Sequence, residues 1–419
     1  MPIRLTPREK KVAQQLSEMK RNSGSHSPSP AMLAGVKGVK MKHDFCYLSN
    51  PHATELFLRY FRKDFRNEER LRRVVEYYPS QNCALAEKIA AFLAVTQKTH
   101  SLSVSHSKEG ERIQAENIFV GNGATEIIQA VLQTLVKPFV GVKLLQTRRS
   151  LTPTKILVPV PTFSPYLEFA SKDVSVIQHQ LRKKDDFRLN RAELLTQVRK
   201  EEPDTVVLIN PNNPDGGYIE VEDVHGLLTQ LRHVPTVIVD ESFAHFVAQK
   251  IGHATSLVQK FPNLVVIKSL SKDFGIAGVR LGYAVMSAHR VSALLKRGYL
   301  WNVSGFGEYF LGLLNRRDFL RQYEQSRQKA IRERDEFFVE LSKIKGLHVY
   351  PSRANMFLVE LTDGSQAADL VVAFLVRYGI YVRLCKDKIG LHGEFVRIAS
   401  RSGVENRRVI SALRAELSV

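Results

Sequence analysis

The chain has 419 residues, 44% of them hydrophobic and 25% charged, with a formal net charge of +19. That length exceeds one small core and predicts a large domain with a smaller satellite, and no run of eighteen apolar residues is present to span a membrane. The charge is scattered ("RLRR", "LRKKDD", "RQKAIRERDE") with no interleaved aromatics, and Cys46, Cys83 and Cys385 lack metal-ligand spacing, so attraction for anions is expected, but no nucleic-acid partner, metal centre or disulfide framework; the setting predicted is reducing and cytoplasmic.

The first twenty residues predict one basic amphipathic helix. "RNSGSHSPSPAMLAGVKG" is rich in Ser, Pro and Gly and reads as a linker or mobile arm. The segment lacks the apolar core of a secretory signal, and Glu9 and Glu18 argue against a transit peptide. From about residue 82, apolar runs of strand length alternate with helical patterns. Strands are predicted over 117–121, 155–161, 204–210, 236–242, 264–270 and 281–286, with "QTRRS" as a surface loop before the second of these. These runs are β-branched and apolar almost throughout, as in strands buried on both faces, so the sheet is expected to be mostly parallel and sandwiched by helices: an open α/β architecture. After about residue 290 a long charged helix (318–343) precedes short strands and two further helices, which predicts a smaller α+β domain.

The unusual residues follow strand ends. "GNGATE" follows the first strand, "PTFSPY" the second, "NPNNPDGG" the third, "DESF" closes the fourth and "SLSK" the fifth. In an open α/β sheet ligands bind outside the carboxyl ends of the strands, so five distant motifs converge on one edge. Gly121 and Gly123 open a helix whose N-terminus would favour an anion, although Glu126 stands where a dinucleotide fingerprint needs its third glycine and no Gly-Lys-Ser/Thr ending makes it a P-loop. Ser269, Ser271 and Arg280 could add phosphate partners. Asp240 ends an apolar strand; it is either a satisfied core carboxylate or an aspartate facing a protonated ring nitrogen. Asn213, in a loop set by Pro211 and Pro214, either satisfies its own backbone or donates to a ring oxygen. Lys272, desolvated among cations, would have a lowered pKa and could form a Schiff base with an aldehyde. Together these describe a pyridoxal phosphate site.

With "LSNPHAT", "YYPS", "YPSRANMFLVEL" and "VRIASR", the ordered set resembles the fold type I pyridoxal-phosphate enzymes. More narrowly it is similar to the class I/II aminotransferases near histidinol-phosphate aminotransferase and threonine-phosphate decarboxylase, from about Leu48 to the end, with no counterpart for residues 1–44. The resemblance implies that Lys272 holds the cofactor and moves protons, and that Asp240 pairs with the pyridinium nitrogen. It implies that Asn213 binds the phenolic oxygen, Phe163 stacks on the ring, and Gly123, Ala124, Thr125, Ser269, Ser271 and Arg280 hold the phosphate. Tyr78 would reach that phosphate across a homodimer interface. Arg397 would clamp the substrate carboxylate, Arg383 is a candidate for an anionic distal group, and Asn50 and Arg353 are further candidates for substrate contacts. The implied divisions are a basic extension or arm (1–44), a segment serving the small domain and the dimer interface (45–81), a large cofactor-binding domain (82–305) and a small domain (306–419).

The implied function is an aminotransferase taking an amino donor and a keto acceptor, with anionic substrates; the alternative is a decarboxylase of an O-phosphorylated amino acid. Three departures bear on that choice. Phe243 replaces the usual tyrosine, as the decarboxylase branch can also do; Ser304 replaces an asparagine in "WNVS"; and Gly216–Gly217 lengthens the turn after Pro214. They argue against a standard histidinol-phosphate aminotransferase.

Overall fold

A computed structural model describes residues 2–23, 28–100, 112–136, 154–170, 174–247 and 253–417. The expected loop "QTRRS" lies outside them. The N-terminal helix, Pro7–Ser23, starts with proline in its first turn and a reciprocal cap: Thr6 N donates to Glu9 Oε2 (2.8 Å) and Glu9 N donates to Thr6 Oγ1 (3.3 Å). The arm expected over residues 21–38 is instead docked where it is described. A short helix, Pro30–Ala34, is capped by Ser29 and buries Leu33 completely, and Val36 packs with Val12 and Val372. Arg377 clasps the segment, donating to Glu9 Oε1 (2.7 Å) and to the Arg4 carbonyl (2.8 Å). Strand β1 (His43–Asp44) follows. The polar composition hid this docking because two or three apolar anchors suffice for so short a segment.

The large sheet has seven strands: β2 (Ile118–Gly121), β3 (Thr154–Val160), β4 (Val174–Gln180), β5 (Thr205–Ile209), β6 (Thr236–Asp240), β7 (Leu264–Ser269) and β8 (Gly282–Val285). Their spatial order is β2-β8-β7-β6-β5-β3-β4, parallel except for β8, which runs against both neighbours. The inner strands are buried throughout because alternate residues enter two different cores. Val206, Leu208, Val237, Val239, Leu264 and Val266 face one, and Val207, Ile209, Ile238, Val265 and Ile267 face the other. β4 escaped the sequence reading: it is an edge strand, only half-buried, and alternates with polar residues.

The small domain carries an antiparallel sheet of β9 (Leu347–Val349), β10 (Met356–Leu361), β12 (Arg383–Leu384) and β13 (Phe395–Ala399), ordered β12-β13-β10-β9. β11 (Ile380–Tyr381) instead pairs in parallel with β1, stitching the N-terminal segment to this domain. The two domains' cores do not part at residue 305. Phe310 and Leu314 join the large-domain core, as do Phe319 and Tyr323 of the helix Arg317–Ser342, while Phe337 and Leu341, further along that helix, join the small-domain core. That one helix therefore braces both domains. Among the described residues no helix is long and apolar enough to cross a membrane, and no group of three or more His, Cys, Asp or Glu is placed to hold a metal.

Candidate active site

The ends of β2, β3, β5, β6 and β7 meet one cavity of about 190 Å3, closed on the other side by β12, β13 and residues 46–48. Arg280 reaches the same rim by the opposite route. It precedes β8, and because β8 is antiparallel, its start lies where its neighbours end.

Lys272 follows β7 in a single helical turn, Leu270–Asp273, with Nζ 5.5 Å from the centre of the Tyr47 ring. Burial, then Arg397 and Arg280, pull its pKa down to about 8. At the end of β6, Asp240 is buried; its Oδ2 accepts from the Tyr166 hydroxyl (2.8 Å) and its Oδ1 from Ser242 N (2.9 Å). Burial raises its carboxyl above the ordinary value, opposed by those bonds and by Lys268. A cation placed against Asp240 would therefore be strongly favoured.

The turn after β2 is shaped for an anion. Gly123 has φ +84°, and a Cβ there would lie 2.6 Å from Arg280 Nη2, so only glycine leaves room for that guanidinium. Glu126, the residue that breaks the dinucleotide pattern, secures the turn by accepting from Asn122 N (2.6 Å) and Asn302 Nδ2 (2.8 Å). Ala124, Thr125, Ser269, Ser271 and Arg280 all line the cavity, and Ser271 Oγ is buried without a partner among the described residues. An unsatisfied buried hydroxyl, a glycine cradle and an arginine suit a phosphate; a half-buried lysine and a buried carboxylate nearby suit an aldehyde and a ring nitrogen. These residues fit pyridoxal phosphate.

On the facing side Arg397 donates from Nη1 to Asn213 Oδ1 (2.8 Å) and from Nη2 to the Cys46 carbonyl (2.8 Å), and its Nε is buried without a partner among the described residues. Asn213 Nδ2 is not used in that contact. Arg383 pairs with Asp387 (2.6 Å). Phe163, Asn213, Arg383 and Arg397 line the cavity as expected.

Asn50, Tyr78 and Arg353, expected at the site, do not line the cavity. Asn50 caps the helix Pro51–Asp64, its Oδ1 accepting from His52 N (3.1 Å) and Ala53 N (3.2 Å), and it does not line the cavity. Tyr78 is on the surface, 81% exposed, its ring centre 5.0 Å from that of Trp301. Arg353 is also outside the lining; its backbone N donates to Gly216 O. The sequence reading missed Cys46, Tyr47, Leu48, Ser164, Ser242 and Lys388, which do line the cavity, and Tyr166 behind it. "PTFSPY" carried a signal for Ser164 and Tyr166; Lys388, in the undistinguished "CKDKIG", carried none.

The departures have local roles. Phe243 is buried with Leu48, Phe246, Ala354, Met356 and Ala399 in an apolar wall. Ser304 caps the helix Gly305–Leu313 by accepting from Gly307 N (3.1 Å). Gly216, at φ +76°, packs so tightly that a Cβ would meet Ser352 Oγ at 1.9 Å, seating the lengthened turn on the small domain.

The family model for "Aminotransferase class I and II" matches residues 61–413. The chain is 45% identical over 418 residues to "L-serine phosphate decarboxylase Cj1436c" of Campylobacter jejuni, covering 99% of this chain and 98% of that one. It is 41% identical over 404 residues to "L-serine phosphate decarboxylase" of Sulfurospirillum multivorans, covering 95% and 94%. A solved structure of a decarboxylase from S. multivorans superposes with a TM-score of 0.85 at 40% identity, over 98% of this chain and 97% of that one. Both matches cover enough of the chain to reach into residues 1–44, the part that the resemblance to the wider family left without a counterpart. The chain belongs to the class I and II aminotransferase family and is a fold type I enzyme dependent on pyridoxal phosphate.

Proposed function

We propose that this enzyme decarboxylates an O-phosphorylated amino acid, with O-phosphoserine as substrate, releasing carbon dioxide and phosphoethanolamine. The observation that carries the reading is the likeness, over almost the whole chain, to two proteins named L-serine phosphate decarboxylase. Histidinol-phosphate aminotransferases are more distant, at 28–31% identity, so amino transfer, the first expectation from sequence, gives way to its alternative. The cavity's charge supports a doubly anionic substrate: Lys272, Arg280, Arg383, Lys388 and Arg397 line it against one carboxylate, Asp240.

When bound, pyridoxal phosphate supplies an electron sink for the pair left as the carboxylate departs. The chain's residues would do the rest. Gly123, Ala124, Thr125, Ser269, Ser271 and Arg280 would hold the cofactor phosphate. Asp240 would keep the ring nitrogen protonated, Asn213 would donate to the phenolic oxygen and Phe163 would cover the ring. Lys272 would hold the aldehyde at rest; its Nζ would then protonate the substrate's α-carbon where carbon dioxide left, a task suited to an amine with pKa near 8. Arg397 would orient the substrate carboxylate and Arg383 would face its phosphate. The exposed Tyr78 and Trp301 are proposed to meet a second copy of the chain, completing the phosphate site across a homodimer.

The test offers O-phosphoserine, O-phosphothreonine and histidinol phosphate to the yellow enzyme. Carbon dioxide from O-phosphoserine without a pyridoxamine form supports the proposal; a pyridoxamine form without carbon dioxide restores the transaminase reading.

A further inference from the structure

Arg383 and Lys388 both bring positive charge to the cavity, but they are not equally available. Arg383 is already paired with Asp387 at 2.6 Å. Lys388 has no carboxylate within ion-pair distance among the described residues; its Nζ donates to two neutral acceptors, the Thr162 carbonyl and Ser164 Oγ, each at 2.9 Å. An ammonium has three donors, so one remains uncommitted. The side chain is buried, 8% exposed, and lines the same cavity as Lys272, Arg383 and Arg397. A buried cation without a counter-ion is costly unless an anion arrives to pair with it. Burial and Arg383 accordingly pull its pKa down to about 8.

The other cations have nearer duties. Arg280 is fitted against Gly123 at the cofactor-phosphate turn, and Arg397 is tied to Asn213, beside the expected ring oxygen. We propose that Lys388 is a specificity-determining residue that receives the phosphate of the substrate, held ready by Thr162 and Ser164 on either side of Phe163. This rests on the phospho-amino-acid reading above. The same two hydrogen bonds tie the loop carrying Phe163 to the small domain, so a purely structural role must be separated from recognition.

The experiment uses the cofactor-loaded enzyme and the variants Lys388→Met and Lys388→Arg. Phosphoethanolamine and inorganic phosphate are the binding probes, followed by calorimetry and by inhibition; cofactor affinity and absorbance are measured in parallel. Loss of one charge-assisted contact predicts binding of both probes weakened about tenfold or more in Lys388→Met, a KM for O-phosphoserine raised to match, and partial recovery in Lys388→Arg. Binding of serine, which lacks the phosphate, should stay unchanged, as should cofactor affinity. Probe affinity within threefold of wild type, equal losses for serine and phosphoethanolamine, or weakened cofactor binding would each overturn the proposal in favour of a loop-holding role. Failure of the wild-type enzyme to release carbon dioxide from O-phosphoserine would sink the earlier reading, and the two binding probes would still report on Lys388.

Discussion

Gly123→Ala separates cofactor recognition from folding at one atom. Gly123 has φ +84° and ψ 162°, a region that residues with a Cβ scarcely enter. Forcing alanine there costs about 1–3 kcal/mol, which lowers the melting temperature by about 2–4 °C per kcal/mol for a domain of this size. The added Cβ would also lie 2.6 Å from Arg280 Nη2 and 3.1 Å from Cζ, where ordinary contact begins at 3.4 Å. The guanidinium can yield, because among the described residues it is held by bonds of 3.3 Å to the carbonyls of Ala277 and Asn122. The displaced group is then the one proposed to hold the cofactor phosphate. Losing one charge-assisted hydrogen bond costs about 1.5–3 kcal/mol, or roughly 10- to 150-fold in dissociation constant. Titrating apoenzyme with pyridoxal phosphate, followed by absorbance, measures that loss, and melting of the apoenzyme measures the strain. An affinity within twofold of wild type alongside a lowered melting temperature would refute the assignment of Arg280 to the phosphate.

Other perturbations test other links. Glu9 is held at about pH 2, chiefly by its hydrogen bond from Arg377, against an ordinary value of 4.5; a depressed carboxylate stabilises above its unfolded pKa, so docking of the N-terminal segment should weaken as pH falls from about 4.5 towards 2. Glu9→Gln should reproduce that release at neutral pH, read as faster proteolytic cutting before residue 44, and unchanged cutting would count against it. Lys268, buried, bonds the Glu241 carbonyl (2.8 Å) and pairs with Asp273 (3.0 Å), linking the residues that follow Asp240 and Lys272. Lys268→Met should cost about 3–5 kcal/mol in urea unfolding, partly recovered by adding Asp273→Asn; an additive double variant would contradict the pairing. If Tyr78 serves a neighbouring copy's site, Lys272→Ala and Tyr78→Phe chains, each impaired alone, should regain activity when mixed, and no recovery would argue for a self-contained site.

Much of this site was legible because a parallel sheet places chemistry at strand ends. Asp240, Ser269, Lys272 and Arg280 each adjoin an apolar run whose burial follows from its composition, and the topology then brings them together. What stayed hidden depends on contacts between distant segments. Lys388 acquires meaning only when the small domain sets it against Thr162 and Ser164, and Cys46 and Tyr47 only when β1 pairs with β11. Asn50 could be read two ways, because an asparagine before a proline suits a helix cap as well as a ligand contact, and the cap uses its oxygen. Leu33 and Val36 were too sparse in a polar stretch to predict docking, and the half-buried β4 lacked the continuous apolar run of the inner strands.

The most direct measurement follows the carboxyl carbon. Enzyme loaded with pyridoxal phosphate is given O-phosphoserine labelled with 13C at the carboxyl, in deuterium oxide, and the products are read by NMR. The account predicts labelled carbon dioxide and phosphoethanolamine in equal amounts, with one deuterium on the carbon that carried the carboxyl group and the cofactor returned to its aldehyde form. Retention of the label in a keto acid, with the cofactor left as pyridoxamine phosphate, would contradict it.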